Sequence, residues 1–354
     1  MVYFNPKKMT RKIALLSICF ILFSDSTYAR TWTNAEGRSI EAEFIELNGG
    51  EVAIKMKGER YEIPLESLSK EDQAYVKSES QRRIEVAAAE ARKFMGQTLI
   101  NGKVLVFKHR LSEENKKIAA KGGSGWDDSF ASGYSGDWIR DISKHHELDE
   151  ITVALGIPDN FDPVAGAPIF VQWTTSDRKS HVQGARAYWE DCRDKGWILV
   201  SVEGSPDAAK TWSNSVFYAG IKEFFEQLHA KYPGSEAWPV ATGGFSGGSK
   251  ICQWMGGLMS ELDDVNVKGF WIGGCNEALF DFALEDMSVS KSAYRDKKAF
   301  ISSGNTDKLV SDRYRENVEA GAKDVRLEVR SEIYSGGHRI NSPHFRSALD
   351  WFLD

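Results

Sequence analysis

Two different spacings of apolar residues divide the chain. Over residues 30–78, apolar and polar positions alternate in short stretches, at 31–33, 39–47, 51–56 and 59–64. Turn signals at Glu36-Gly37, Asn48-Gly49-Gly50 and Lys57-Gly58 separate these stretches and predict a compact β module. Ser69-Lys70-Glu71-Asp72 supplies an N-cap with an acidic first turn. Residues 69–94, rich in Glu, Lys, Arg and Ala, predict a long helix that acts as a semi-rigid linker. Its apolar seam is too short for a coiled-coil dimer. From residue 147 the chain alternates apolar runs with helical stretches, the signature of an α/β domain with a largely parallel sheet. Strands are predicted at 147–157, 167–174, 197–202, 238–241, 267–272, 298–302 and 325–334. Helices are predicted at 186–195, 214–232 and 251–259, and Ser342-Pro343 opens a last one, proline being tolerated in the first helical turn.

Residues 95–146 read less clearly. Asn101-Gly102 signals a turn, 104–108 a strand, and 111–120 a short helix ended by Lys121-Gly122-Gly123. Residues 124–141 mix Gly, Ser, Trp126, Tyr134 and Trp138 with acids, and either shape a substrate rim or cover a face of the sheet. The expected organisation is a leader at 1–29, a β module at 30–68, a helical linker at 69–94, an extension at 95–146 and an α/β domain at 147–354.

Composition narrows the function classes. The 354 residues include 42% hydrophobic and 12% aromatic positions, enough for a large core. The net charge of -6 gives no support for nucleic-acid binding. Lys7, Lys8, Arg11 and Lys12 precede an apolar run at 13–23 and the small-residue site Thr27-Tyr28-Ala29, the pattern of a secretory leader. That run is about half of the roughly 20 residues that a spanning helix needs. Export with cleavage near Ala29 is therefore expected, giving a secreted or periplasmic protein without a stable membrane span. Removal of Cys19 leaves Cys192, Cys252 and Cys275, an odd set that allows at most one bridge or three buried thiols. No C-x-x-C exists, and His145-His146 are adjacent without a partner at helical spacing, so no metal and no cofactor is expected.

The chemistry concentrates in Val240-Ala-Thr-Gly-Gly-Phe-Ser-Gly-Gly-Ser-Lys250. Gly244-Phe245-Ser246-Gly247-Gly248 fits G-x-S-x-G, the nucleophile elbow between a strand and a helix. A serine held on so sharp a turn crowds the positions two before and two after it, and both are glycine here. The bland reading is a glycine-rich loop that contains a serine.

Two resemblances bear on these readings. Residues Arg30-Thr-Trp32-Thr, Gly37-Arg38, Glu41-Ala-Glu-Phe44 and Ile63-Pro-Leu-Glu-Ser-Leu-Ser-Lys-Glu-Asp72 make the N-terminal module resemble the first homology domain of the yeast endocytic SLA adaptor family, a small SH3-like barrel. In the adaptors this implies protein or ubiquitin binding. In an exported chain it implies an appendage that tethers to a protein or surface ligand, or one that only stabilises the fold. Thr152-Val-Ala-Leu-Gly-Ile-Pro-Asp-Asn-Phe-Asp162, Pro168-Ile-Phe-Val-Gln-Trp173, the Ser246 elbow, Gly304-Asn-Thr-Asp307 and Gly336-Gly-His338 make the last two hundred or so residues resemble the bacterial esterase and polyhydroxyalkanoate-depolymerase-like branch of the α/β-hydrolase superfamily. This resemblance implies a Ser-Asp-His triad in that chain order.

A serine hydroxyl needs an imidazole to take its proton, and the imidazole needs an acid to fix its tautomer. Among the seven histidines, His338 follows a predicted strand and two glycines, at the strand's carboxyl end. His181, His229 and His344 fall on or near helices, while His109, His145 and His146 precede the α/β region. Asp307 follows the penultimate strand through Gly304-Asn305; Glu277, Asp281 and Asp312 compete with it, and a turn aspartate capping the helix near Ser311 is its bland reading. The oxyanion hole is expected from the N–H groups of Gly247 and Thr175. Where many esterases carry His-Gly, this chain has Trp173-Thr174-Thr175-Ser176, whose side chains narrow the approach. Trp173, Trp212 and Trp254 are candidates for a substrate rim or for the core.

The expected function is an exported serine hydrolase that cleaves a small-molecule or carbohydrate ester through an acyl-enzyme, with Ser246, His338 and Asp307 as its triad. A serine peptidase on the same triad and a silent scaffold carrying a protein-binding module are the alternatives.

Overall fold

The computed structural model describes residues 29–120, 149–174, 181–204 and 214–354. It divides into two compact units, Met1–Ala88 and Ala89–Asp354.

In the first unit, β1 (Arg30–Thr33), β2 (Ser39–Asn48), β3 (Glu51–Met56) and β4 (Glu59–Pro64) form an antiparallel sheet in sequential order. The expected alternation is realised: Trp32, Phe44, Val52 and Ile54 turn inward and meet Leu68 and Val76. Helix α1 (Lys70–Ala91) starts at the predicted cap, where Ser69 Oγ accepts from the Asp72 N–H at 3.2 Å. Buried Asp72 in turn accepts from the Thr33 N–H at 2.7 Å and from the Arg30 guanidinium at 2.5 Å. The helix ends short of Phe94, because Met95 and Gly96 adopt positive φ and close a small hairpin of β5 (Lys93–Phe94) and β6 (Gln97–Thr98).

The second unit is built on an eight-stranded sheet. Its strands are β7 (Lys103–Arg110), β8 (Glu150–Ile157), β9 (Ile169–Trp173), β10 (Ile198–Glu203), β11 (Val240–Phe245), β12 (Val267–Gly273), β13 (Lys298–Gly304) and β14 (Glu328–Tyr334). They lie in the order β14-β13-β12-β11-β9-β10-β8-β7. Only β8 runs against its neighbours; the other pairings are parallel. The central strands are buried on both faces, hence their largely apolar runs, interrupted only by the buried polar residues Gln172, Ser201, Glu203 and Thr242. On one face, α4 (Asn214–Lys231), α5 (Gly247–Ser260), α6 (Phe280–Glu285) and α7 (Asp312–Asp324) enclose the larger core. On the other, α3 (His181–Asp194) and α8 (Ser342–Trp351) cover Phe170, Leu199, Ala241, Trp271 and Phe300. The short α2 (Glu113–Ala119) is held by buried Glu223, which accepts from the Ser112 N–H at 2.9 Å and from Asn115 at 2.8 Å. This is an α/β-hydrolase fold, with the elbow serine at the carboxyl end of a central strand.

Several boundaries differ from expectation. Strand β11 runs to Phe245 and α5 starts at Gly247, directly after the serine, instead of at 251. Helix α3 begins at His181, not 186. Arg326 at φ 69° ends α7 with a left-handed turn, so the last strand starts at Glu328, not 325. Cys192, Cys252 and Cys275 are free and buried. Residues 1–28 of the leader expected at 1–29, the segment 121–148 with His145 and His146, and Trp212 lie outside the described residues.

Candidate active site

The elbow is built by exclusion of side chains. Ser246 has φ 58° and ψ -121°, a region that costs a non-glycine residue of the order of 1–3 kcal/mol and persists only where packing enforces it. A methyl group at Gly244 would lie 2.4 Å from the Gly248 backbone, and one at Gly248 would lie 2.2 Å from the Trp173 carbonyl oxygen. Strand, helix and the loop after β9 therefore close on one another only because both positions are glycine. The Ser246 N–H donates to the Gly273 carbonyl at 2.8 Å, tying the turn to β12.

Asp307 and His338 are brought together. The Asp307 side chain has no exposed surface, and its Oδ2 lies 2.7 Å from His338 Nδ1. Its Oδ1 accepts from the N–H groups of Leu309 at 2.9 Å and Val310 at 3.2 Å, so the carboxylate is fixed before it meets the ring. An Nδ1–H donated to that carboxylate makes Nε2 the basic nitrogen of the neutral ring. The His338 ring packs on Phe245, the residue before Ser246, with centroids 4.6 Å apart. Gly274, at φ 55°, leaves room for the contact: a methyl there would strike the Phe245 ring and lie 3.2 Å from His338 Cε1.

The loops carrying Asp307 and His338 are stitched together by backbone. Because β13 and β14 are neighbours, the Asn305 N–H donates to the Tyr334 carbonyl at 2.9 Å and the Thr306 N–H to the Gly336 carbonyl at 2.9 Å. Asn305 Oδ1 accepts from the Gly336 N–H at 3.0 Å. A methyl at Gly304 would fall 2.2 Å from the Gly336 oxygen, so this crossing also requires glycine.

The competing residues have other partners. Glu277 accepts from Lys250 at 2.6 Å, and Asp312 accepts from Arg315 at 2.8 Å in the first turn of α7. Asp281 lies in the first turn of α6. His109 meets Glu223 at 3.3 Å, and His229 meets Ser235 at 2.8 Å while stacking on Phe225. His344 Nδ1 lies 3.0 Å from the buried Ser302 hydroxyl, and burial lowers its pKa. Trp173 and Trp254 are core residues; the Trp173 indole donates to Thr242 Oγ1 at 2.7 Å. Gly247 opens α5, and its N–H belongs to the first turn, whose donors lack intrahelical acceptors. Thr175 lies outside the described residues. The backbone of Trp173 and Thr174, just before it, runs against Gly248. Among the described residues no cluster of His, Cys, Asp or Glu has the arrangement of a metal site.

Sequence reasoning missed Tyr334, Asn305 and Gly274. Asn305 and Gly274 meet other loops, and the Tyr334 hydroxyl bonds backbone carbonyls of its own loop, contacts that no spacing announces.

Among known proteins, residues 23–84 match the family model described as SLA1 homology domain 1. No curated protein sequence matches the chain at significance. Similar solved structures include a ferulic acid esterase, 14% identical, covering 71% of this chain and 96% of that one with a TM-score of 0.42. An esterase of Pyrococcus furiosus is 13% identical over 58% of this chain and 84% of its own, with a TM-score of 0.41. Esterase 2 of the planctomycete Thermogutta terrifontis with bound propionate is 13% identical over 58% and 88%, also at 0.41. Likeness at this level carries nothing about substrate. By its own strand order and elbow, the chain joins a segment similar to SLA1 homology domain 1 to an α/β-hydrolase fold.

Proposed function

We propose that the protein is an exported serine hydrolase that cleaves carboxylic esters. The observation that carries this reading is the buried Asp307 bonded to His338 Nδ1, with the imidazole packed on the residue that precedes a strained serine. In the proposed reaction Ser246 Oγ attacks the ester carbonyl while His338 Nε2 takes the hydroxyl proton. The Oγ–C bond forms, the tetrahedral intermediate collapses, and the C–O bond to the alcohol breaks as His338 returns the proton to it. Water, activated by the same nitrogen, then releases the acid. Asp307 orients His338 and stabilises the imidazolium. The Gly247 N–H at the positive end of α5, with a second donor at Thr175, would stabilise the oxyanion. No step needs a metal or an organic cofactor. The N-terminal segment is proposed to tether the enzyme to a protein or surface ligand.

Labelling with a fluorophosphonate probe tests the reading. The wild-type protein is expected to label and Ser246→Ala not to. Folded wild-type protein that takes no label would favour the silent scaffold, and turnover of peptides but not of acetyl, butyryl or long-chain esters would favour a peptidase. N-terminal sequencing of exported material should begin near Arg30 if the leader assignment is right.

A further inference from the structure

Tyr334 is the last residue of β14, paired with Gly304 at the end of β13, so the loops carrying Asp307 and His338 both leave the sheet beside it. Its carbonyl accepts from the Asn305 N–H at 2.9 Å at the root of the acid loop. Its side chain reaches in the other direction. The phenol oxygen lies 3.0 Å from the Gly337 carbonyl and 2.5 Å from the Arg339 carbonyl, and the Arg339 N–H points to it at 3.4 Å. One hydroxyl thus meets the backbone on both sides of His338. A phenol has one hydrogen, which the two carbonyls share, while its lone pairs receive the amide. Burial, together with the Asp307 charge and against the Arg339 hydrogen bond, raises the Tyr334 pKa and keeps the group a donor. The ring is held independently, edge-on to His344 with centroids 5.6 Å apart. His344 is in turn anchored to Ser302.

We propose that Tyr334 is a positioning residue for the general base: its hydroxyl clamps residues 337 and 339 so that the His338 imidazole is presented to Ser246 with Nδ1 on Asp307. The inference rests on the hydrolase reading above. Asp307 fixes one ring atom and Phe245 bounds one face of the ring, but neither sets where the His338 Cα–Cβ bond points. Clamping the backbone on either side fixes that direction, and small misplacements of a general base are expensive in rate.

Tyr334→Phe removes the hydroxyl and keeps the ring. With a short-chain p-nitrophenyl ester, kcat is expected to fall by about 10- to 100-fold with KM changed less than about twofold, the mark of an interaction realised in the transition state. Tyr232→Phe is the comparison: it also deletes a buried phenol-to-carbonyl bond, to Ala91 at 2.9 Å, in a different part of the same unit. It should lower the melting temperature similarly and leave kcat at the wild-type value. Amide hydrogen exchange at residues 336–340 should quicken in Tyr334→Phe and not in Tyr232→Phe. Unchanged exchange overturns the clamp. Labelling of wild type with an undiminished kcat in Tyr334→Phe overturns its positioning role and leaves the hydrolase reading intact. Absence of labelling in folded wild type removes the hydrolase reading and the positioning role with it, while the exchange result still decides whether the clamp exists.

Discussion

Replacing Asp307 by asparagine tests the site most sharply, because the structure separates its charge from its scaffolding role. The side chain is wholly buried and accepts three hydrogen bonds, two from the Leu309 and Val310 amides at Oδ1 and one at Oδ2 from His338. Asparagine can keep its carbonyl on the two amides. Its NH2 group then faces His338 Nδ1 and donates to it, which forces the ring hydrogen onto Nε2. A ring with hydrogen on Nε2 cannot accept the serine proton, and the charge that steadies the imidazolium is gone as well. The expected loss in kcat is on the order of 10⁴, equivalent to about 5.4 kcal/mol of transition-state stabilisation. The assay is kcat on a short-chain ester, run beside thermal unfolding and with Glu277→Gln as the comparison, since Glu277 is engaged by Lys250. Asp307→Asn within an order of magnitude of wild type, or a collapse in Glu277→Gln instead, would refute the assignment of the acid.

Three further outcomes follow from the packing and the charges. Gly248→Ala drives a methyl to within 2.2 Å of the Trp173 carbonyl, so it should lose about 1–3 kcal/mol of stability in chemical denaturation and also lose probe labelling at Ser246. For Glu223, burial raises the pKa, but bonds from Asn115, Ser112 and Gln227 overcome it and hold the group at about 2, below its ordinary 4.5. A depressed carboxyl contributes its stability above the unfolded value, so up to about 3 kcal/mol present at pH 7 should fade as pH falls from about 4.5 toward 2. Wild type should show that loss in denaturant titrations, and Glu223→Gln should be destabilised at pH 7 with a flatter acid limb. In the N-terminal unit, Asp72→Ala leaves the half-buried Thr33 N–H and the Arg30 guanidinium without this acceptor, for an expected loss of about 1–3 kcal/mol in unfolding of residues 29–88 expressed alone.

Much of this was readable along the chain where a local cause dominates. The buried strands β9 and β10 announce themselves as mainly apolar runs, and the Ser69 cap and the Gly244 clearance against Gly248 are fixed by short-range geometry. Errors arose where a single backbone conformation outweighs composition. Arg326 at φ 69° turns the chain just where Val325 and Leu327 mimic the start of a strand, and Met95 at φ 48° breaks an otherwise helical stretch. The pattern starts α5 at 251 because Gly247, Gly248 and Ser249 have poor helix propensity; Gly248 is there for clearance against Trp173 and Thr174. The sequence offers Asp307 and His338 as candidates by their places after successive strands, and those places meet because β13 and β14 are paired. The Tyr334 hydroxyl left no trace in the sequence, since its partners are carbonyl groups present in every residue.

The imidazole is mounted beside an outermost ribbon of the sheet, whereas the serine rises from its middle. A flank held on one side only frays sooner than the interior, so warming should end the proposed hydrolysis by letting this margin come loose while most of the body is still intact. Inactivation ahead of melting would then be built into the topology, and reinforcing the margin alone should close the gap between the two temperatures.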